Sequence, residues 1–220
     1  DDAIAQSEAT PDELQPTDWV NRRDLTSDVV VTIDGDDSKD FDDAVGLTRL
    51  ANGNFKLGVH IADVSHYVTE DSPLDTEAYE RGTSTYLTDR VIPMLPFRLS
   101  NGICSLNPGE NRLTLSCIME INQKGEVVNH EIFPSVIRSN ARMTYNNVNK
   151  IVEDHDPAVS KEYATFLPMF EDMAELHQIL FKRRHERGAI DFEETEAKIV
   201  VDEKGWPIDI VLRDRGTSER

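Results

Sequence analysis

The sequence predicts an α+β fold in which hairpins build a mixed, mostly antiparallel sheet and helices flank it. Three turn signals support this prediction, because Asn52-Gly53, Lys124-Gly125 and Gly205 each separate two apolar segments that favour strands. Other apolar segments show helical spacing, but strands and helices do not alternate in the βαβ rhythm of a parallel sheet. These observations favour α+β over α/β architecture.

The first half of the chain is predicted to contain a linker, three strands and one helix. Residues 1–24 are polar and are expected to form a linker with at most a short helix, so the folded domain is expected to cover 25–220. Ser72 and Gly82 are typical cap residues, and they set the two ends of the helix. The predicted bounds are 29–33, 44–50 and 55–63 for the strands and about 73–81 for the helix.

The second half begins with residues 83–112, where proline, asparagine and glycine predict a long ordered loop or short strands. Thr144 is expected to cap a short helix. A longer helix is expected over about 159–187, with Pro168 breaking or kinking it and Gly188 ending it. The second and third hairpins are predicted over 113–121 with 127–137 and over 199–201 with 208–212.

The composition excludes several classes of protein. The formal net charge of −19 argues against a free-standing basic nucleic-acid binder. No apolar run approaches the ~20 residues of a membrane span, and the acidic N-terminus lacks a signal-peptide pattern. Cys104 and Cys117 indicate no disulfide framework and fit a reducing cytoplasm. The chain starts without Met and a new polar segment begins near Arg220, so we expect a fragment of a longer protein.

The segment 32–46, TIDGDDSKDFDDAVG, holds six aspartates within ten residues. It lies between two apolar runs, where clustered carboxylates repel one another and lose hydration. A hard divalent cation offsets this repulsion, and carboxylate oxygens suit Mg²⁺ and Mn²⁺. A short loop could bring together the four aspartates at relative positions 0, 6, 8 and 9, which are Asp34, Asp40, Asp42 and Asp43.

Two other interpretations of the acidic segment are a solvated turn and a calcium loop. The apolar flanks on both sides favour a metal site over a solvated turn. A calcium loop of the EF-hand type, counted from Asp34, fails because Lys39 stands at the glycine position and Val45 at the position of the bidentate glutamate.

The acidic segment resembles the signature of the RNB-type 3′→5′ exoribonucleases, the ribonuclease II and ribonuclease R family. Four further segments resemble that family in the same order: GVHIADVSHYV at 58–68, TSTYLTDRVIPMLP at 83–96, LSNGICSLNPGENRLTLSC at 99–117 and RGAIDF at 187–192. The segment HIADVSHYV is closer to ribonuclease R than to ribonuclease II. The resemblance implies the N-terminal part of an RNB-type catalytic domain.

The resemblance implies an enzyme that hydrolyses single-stranded RNA processively from its 3′ end and releases nucleoside 5′-monophosphates. It implies four Mg²⁺ ligands: Asp34, Asp40, Asp42 and Asp43. Asp42 is the aspartate that it makes most needed for turnover. It also implies three aromatic contacts with the RNA: Tyr86, Tyr145 and Phe192. Phe192 has an equal alternative as a core anchor after the long helix.

Complete members of this family carry cold-shock-type domains before this region, an S1-type domain after it, and an arginine in the later half of the catalytic domain. These parts are not among the 220 residues, so the fragment itself is expected to be weak or inactive. Two alternative functions are a non-catalytic RNA-binding relative of the same fold and a structural module that binds a divalent metal. Intact aspartates argue against the first, and tight Ca²⁺ binding would indicate the second.

Overall fold

The computed structural model describes residues 2–190, 196–213 and 216–219. Its strands are β1 Arg23–Asp24, β2 Val31–Asp34, β3 Asp43–Arg49, β4 Phe55–Ala62, β5 Thr85–Tyr86, β6 Val91–Ile92, β7 Asn111–Ile121, β8 Val127–Arg138, β9 Ala141–Thr144, β10 Glu196–Val201 and β11 Pro207–Arg213. Its α-helices are α1 Asp2–Ala9, α2 Pro73–Arg81, α3 Tyr145–Val152, α4 Pro157–Glu162 and α5 Leu167–Glu186. Within the described ranges, no helix is both long and apolar enough to cross a membrane.

Seven strands form one sheet in the order β1-β8-β7-β4-β3-β2-β9. The central pairs are antiparallel, whereas β1 runs parallel to β8 and β9 runs parallel to β2. Two separate antiparallel hairpins pair β5 with β6 and β10 with β11. A mostly antiparallel sheet with helices beside it confirms the predicted α+β class.

The three predicted hairpins are present, and each turn contains a glycine with positive φ. The angle is 84° at Gly53, 72° at Gly125 and 80° at Gly205, a region that residues with a Cβ rarely adopt. Helix α2 has the predicted bounds. The Ser72 hydroxyl oxygen accepts the Asp75 amide at 3.2 Å, and Gly82 ends the helix in the left-handed region.

Two features differ from the sequence prediction. The helix expected over 159–187 is two helices, α4 and α5, separated by a 3₁₀ turn over Ala164–Phe166. Pro168 lies in the first turn of α5, where its missing N–H leaves no helical hydrogen bond unmade. Strands β1 and β9 were not predicted, because two and four residues are too few to show a clear hydrophobic period.

The N-terminal residues lie against the rest of the chain. Helix α1 packs beside α2, and the Leu74 amide donates a hydrogen bond to the side chain of Gln6 at 3.0 Å. Strand β1 extends the main sheet by pairing with β8. The domain boundary at residue 24 stays a prediction.

The sheet has a hydrophobic core on each face. Helices α3, α4 and α5 cover one face, where the core includes Phe55, Met143 and Phe170. The other face carries a smaller cluster: Val30, Phe41, Ala44, Ala62, Leu106 and Ile137. Phe41 belongs to the acidic segment and is only 5% exposed. The smaller core therefore anchors the acidic segment to the sheet.

Candidate functional site

The four candidate metal ligands lie at one end of two neighbouring strands. Asp34 is the last residue of β2 and Asp43 is the first residue of β3. These strands are antiparallel, with Val31 opposite Val45. The chain therefore leaves the sheet after Asp34 and re-enters it nearby at Asp43. The connecting loop holds Asp40 and Asp42 at the same end of these two strands.

We define residues 35–42 as the acidic loop. Hydrogen bonds around Phe41 fix the second half of this loop. The Phe41 amide donates to the hydroxyl oxygen of Ser105 at 3.0 Å, and the Phe41 carbonyl accepts the Leu106 amide at 2.9 Å. The Asp42 carbonyl accepts the Ala62 amide at 2.9 Å. A buried aromatic ring with both backbone groups paired thus holds the backbone between Asp40 and Asp42 in one place.

Burial and neighbouring charges raise the proton affinity of two candidate ligands, Asp34 and Asp42. The pKa of Asp34 is raised to about 6, first by burial and then by the charge of Asp43, with smaller contributions from Asp40 and Asp42. Arg142 opposes this rise. Burial, followed by the charges of Asp40 and Asp43, also raises the pKa of Asp42. The four side chains therefore form one electrostatic unit, as the spacing of the motif indicates.

A divalent cation fits the chemistry of these residues. Among the residues that the structure describes, none donates a hydrogen bond to the buried Oδ2 atom of Asp34, which is costly for a carboxylate unless a cation compensates it. All four candidate donors are carboxylates, the ligand type that hard cations prefer. In the part of the chain that the structure describes, no three Asp, Glu, His or Cys side chains already form a metal-holding group. The side chains would therefore have to reorient around an ion, and the ligand set stays a prediction.

The acidic loop forms one wall of a cleft of about 1340 Å³. Asp34, Asp40 and Asp42 line it together with Tyr86 and Tyr145. The Tyr86 side chain is 66% exposed, and its hydroxyl donates a hydrogen bond to Asp40 Oδ2 at 3.2 Å. Burial and the charge of Asp40 raise the pKa of Tyr86, which keeps its hydroxyl protonated. The structure thus brings a predicted aromatic contact to a predicted metal ligand.

Of the other two predicted aromatic contacts, Tyr145 and Phe192, the structure describes Tyr145. Tyr145 begins α3, directly after Thr144, which pairs with Asp34 across strands β9 and β2. Its position in the same cleft agrees with a role near the acidic loop. Phe192 lies outside the described residues, so its role stays a prediction.

Three polar residues around the acidic loop were not predicted from the sequence. Arg142 donates to backbone carbonyls of the loop, Asn146 donates to the Asp36 carboxylate at 2.5 Å, and Lys198 forms an ion pair with Asp37. Asp36 and Asp37 are therefore held by side chains from other elements. In the sequence, Arg142 and Asn146 stand on either side of Tyr145, which the family resemblance singled out. That placement is the signal that could have indicated them.

Comparison with known proteins identifies the family of this chain. Residues 22–220 match the RNB domain family. The chain is 57% identical over 219 residues to ribonuclease R 1 of Lactococcus lactis, a match that covers 100% of this chain and 27% of that protein. It is 53% identical over 221 residues to ribonuclease R of Thermotoga maritima, covering 100% of this chain and 31% of that protein.

A solved structure agrees with these matches. The Mycoplasma genitalium RNase R structure in complex with ribose-methylated single-stranded RNA superposes with a TM-score of 0.87 at 32% identity. The superposition covers 98% of this chain and 33% of that one. The chain thus spans about a third or less of the length of the relatives it matches. Because the family match extends over most of its residues, the chain belongs to the RNB domain family.

Proposed function

We propose that this chain is the metal-binding part of an exoribonuclease that hydrolyses single-stranded RNA processively from its 3′ end to nucleoside 5′-monophosphates, with Mg²⁺ as cofactor. The observation that carries the proposal is the single cleft in which Asp34, Asp40 and Asp42 lie beside the exposed ring of Tyr86. Acidic side chains alone repel an RNA backbone. Their presence beside a stacking surface is explained if a cation stands between the carboxylates and the phosphate.

The four aspartates would hold the cation, with Mn²⁺ as a substitute for Mg²⁺. When bound, the ion would lower the pKa of an attacking water and neutralise charge on the leaving 3′-oxygen. Asp34 would contribute its Oδ2 oxygen, to which none of the described residues donates a hydrogen bond. The backbone of Asp42 is fixed by the Ala62 amide, so its carboxylate can be presented with little loss of conformational freedom. This fits the role of Asp42 as the aspartate most needed for turnover.

Tyr86 would position the last nucleotide of the RNA. Its hydroxyl is tied to Asp40, which restrains the ring while leaving its face open to the cleft. Stacking of a base on an aromatic ring contributes roughly 1–3 kcal/mol and is nearly independent of base identity. A stacking residue tied to a metal ligand would place the terminal phosphodiester near the cation whatever the sequence of the RNA.

We place the proposed enzyme in the cytoplasm. Cys104 and Cys117 are both free thiols, which fits a reducing compartment. A nuclease of RNA 3′ ends also meets its substrate there.

A second candidate function is a non-catalytic RNA-binding relative of the same fold. The observation that favours it is that the described carboxylates do not yet form a metal-holding group. The two functions differ in their dependence on metal. An enzyme requires Mg²⁺ or Mn²⁺ for product formation, whereas a binding protein retains RNA in chelator without shortening it.

Degradation of 5′-labelled single-stranded RNA tests the proposed function. The measurement uses a protein of the relatives' length that carries this sequence, because the chain spans only part of them. We expect stepwise shortening and 5′-monophosphates in Mg²⁺ and none in chelator. Tyr86→Ala should weaken binding of the RNA 3′ end by about 5- to 150-fold, the equivalent of one lost stacking contact.

Tyr86→Phe is the matched control, because it keeps the ring and removes only the hydrogen bond to Asp40. Its RNA affinity should stay within about threefold of wild type. RNA that is never shortened in Mg²⁺ would exclude the enzyme. Equal affinity of Tyr86→Ala and wild type would show that Tyr86 is not a stacking residue.

A further inference from the structure

The first half of the acidic loop is held by an arginine on the neighbouring strand. Arg142 lies on β9, opposite Thr32 of the parallel strand β2. Its Nη2 atom donates to the carbonyl oxygens of Asp36 at 2.6 Å, Gly35 at 3.0 Å and Ser38 at 3.4 Å. One guanidinium therefore contacts three carbonyl oxygens within four consecutive residues of the loop.

One further contact restrains this guanidinium, and a second side chain holds the same part of the loop. Its central carbon lies 5.5 Å from the centre of the Phe41 ring, within the range of a cation–π interaction. Its buried Nε atom has no hydrogen-bond partner within the described parts of the chain, a cost that is tolerated only where other contacts outweigh it. Asn146, four residues along the chain, donates to the Asp36 carboxylate from the exposed start of α3.

We infer that Arg142 is a positioning residue, which holds residues 35–38 so that the Asp34 and Asp40 carboxylates can share one cation. This inference rests on the proposed function and adds to it a residue that touches neither metal nor RNA. The second half of the loop is held by backbone hydrogen bonds of Phe41 with Ser105 and Leu106. The two halves together bring the first and later aspartates of the motif to one side of the sheet.

The direction of the effect separates positioning from simple electrostatics. If Arg142 acted only through its positive charge, removing it would make the loop more negative and strengthen cation binding. If it positions the loop, removing it lets Gly35 and its neighbours move, and cation binding weakens. Loss of groups that orient metal ligands commonly lowers metal affinity by about 10- to 100-fold.

The first measurement is hydrogen exchange of the wild-type chain and the Arg142→Met variant, without metal. Amides of residues 35–39 should exchange about tenfold faster in the variant, while amides of β4 and β7 keep their rates. Asn146→Ala, which changes an exposed side chain, should give a smaller increase in the same amides. Unchanged exchange in both variants would overturn the inference, whether or not the protein binds metal.

The second measurement is Mn²⁺ titration followed by electron paramagnetic resonance. Arg142→Met should bind Mn²⁺ about tenfold more weakly than wild type, and Arg142→Lys, which keeps the charge, should lie between them. Arg138→Met is the control, because Arg138 is also a strand arginine that donates to a backbone carbonyl, at 2.8 Å, but its acceptor is Gly109 rather than the acidic loop. Tighter binding by Arg142→Met would contradict positioning, whereas a wild-type chain that binds no Mn²⁺ would contradict the proposed function instead.

Discussion

Replacing Asp42 with asparagine is expected to lower the rate of mononucleotide release by more than about 10³-fold, the loss of several kcal/mol of transition-state stabilisation. Asparagine has the same shape, and the backbone of residue 42 is held by the Ala62 amide. The loop should therefore keep its conformation while losing one negative charge. RNA affinity should stay within about threefold of wild type, because Tyr86 is unchanged.

The measurement is single-turnover release of 5′-monophosphates by a protein of the relatives' length, with RNA binding measured in parallel. Asp37→Asn is the matched control, because it removes one charge from the same loop at a side chain that is 82% exposed and not among the predicted ligands. Asp37→Asn should retain most of the wild-type rate. Full activity of Asp42→Asn would show that Asp42 is not the residue most needed for turnover.

Replacing Arg22 with methionine is expected to lower the free energy of unfolding of the chain by about 3–5 kcal/mol, because it leaves a buried carboxylate unpaired. Arg22 Nη2 lies 2.6 Å from Asp63 Oδ2, and the two side chains are 10% and 6% exposed. Burial raises the pKa of Asp63, but hydrogen bonds from Ser65 and Arg22 outweigh it and lower the pKa below its ordinary value.

The pH dependence of this effect follows from the lowered pKa of Asp63. The stabilisation is complete above the unfolded pKa of 3.8 and is lost as the pH falls through the lower folded pKa. Urea unfolding of wild type and Arg22→Met should therefore differ fully at pH 7 and progressively less below pH 3.8. The double variant Arg22→Met, Asp63→Asn should recover much of the loss. A difference at pH 7 below about 1 kcal/mol would mean that the ion pair is not a stabilising contact.

The parts of the fold that could be predicted from sequence are those specified by neighbouring residues. Glycine turns specified the three hairpins, and Ser72 with Gly82 specified α2. The parallel pairing of β2 with β9 joins Val31 to Ala141, more than a hundred residues away. Nothing local in a four-residue strand indicates such a partner, so β9 was not predicted.

The same limit applies to the candidate site. The apolar runs on both sides of the acidic segment predicted that it joins two strands, and Asp34 and Asp43 are the last and first residues of those strands. A role for Tyr86 was expected only from family resemblance, and its hydrogen bond to Asp40, 46 residues away, was not predicted. Arg142 was not predicted because its contacts with the acidic loop depend on strand β9, which was not predicted either.

Binding of Mn²⁺ by the chain, with Mg²⁺ and Ca²⁺ as competitors, tests most directly whether the aspartates form a cation site. We expect saturable but weak binding, which Mg²⁺ displaces more readily than Ca²⁺ and which RNA strengthens. Asp34→Asn should weaken it by at least about tenfold, and Asp37→Asn should leave it within about twofold. No saturable binding, or equal losses in Asp34→Asn and Asp37→Asn, would contradict the account.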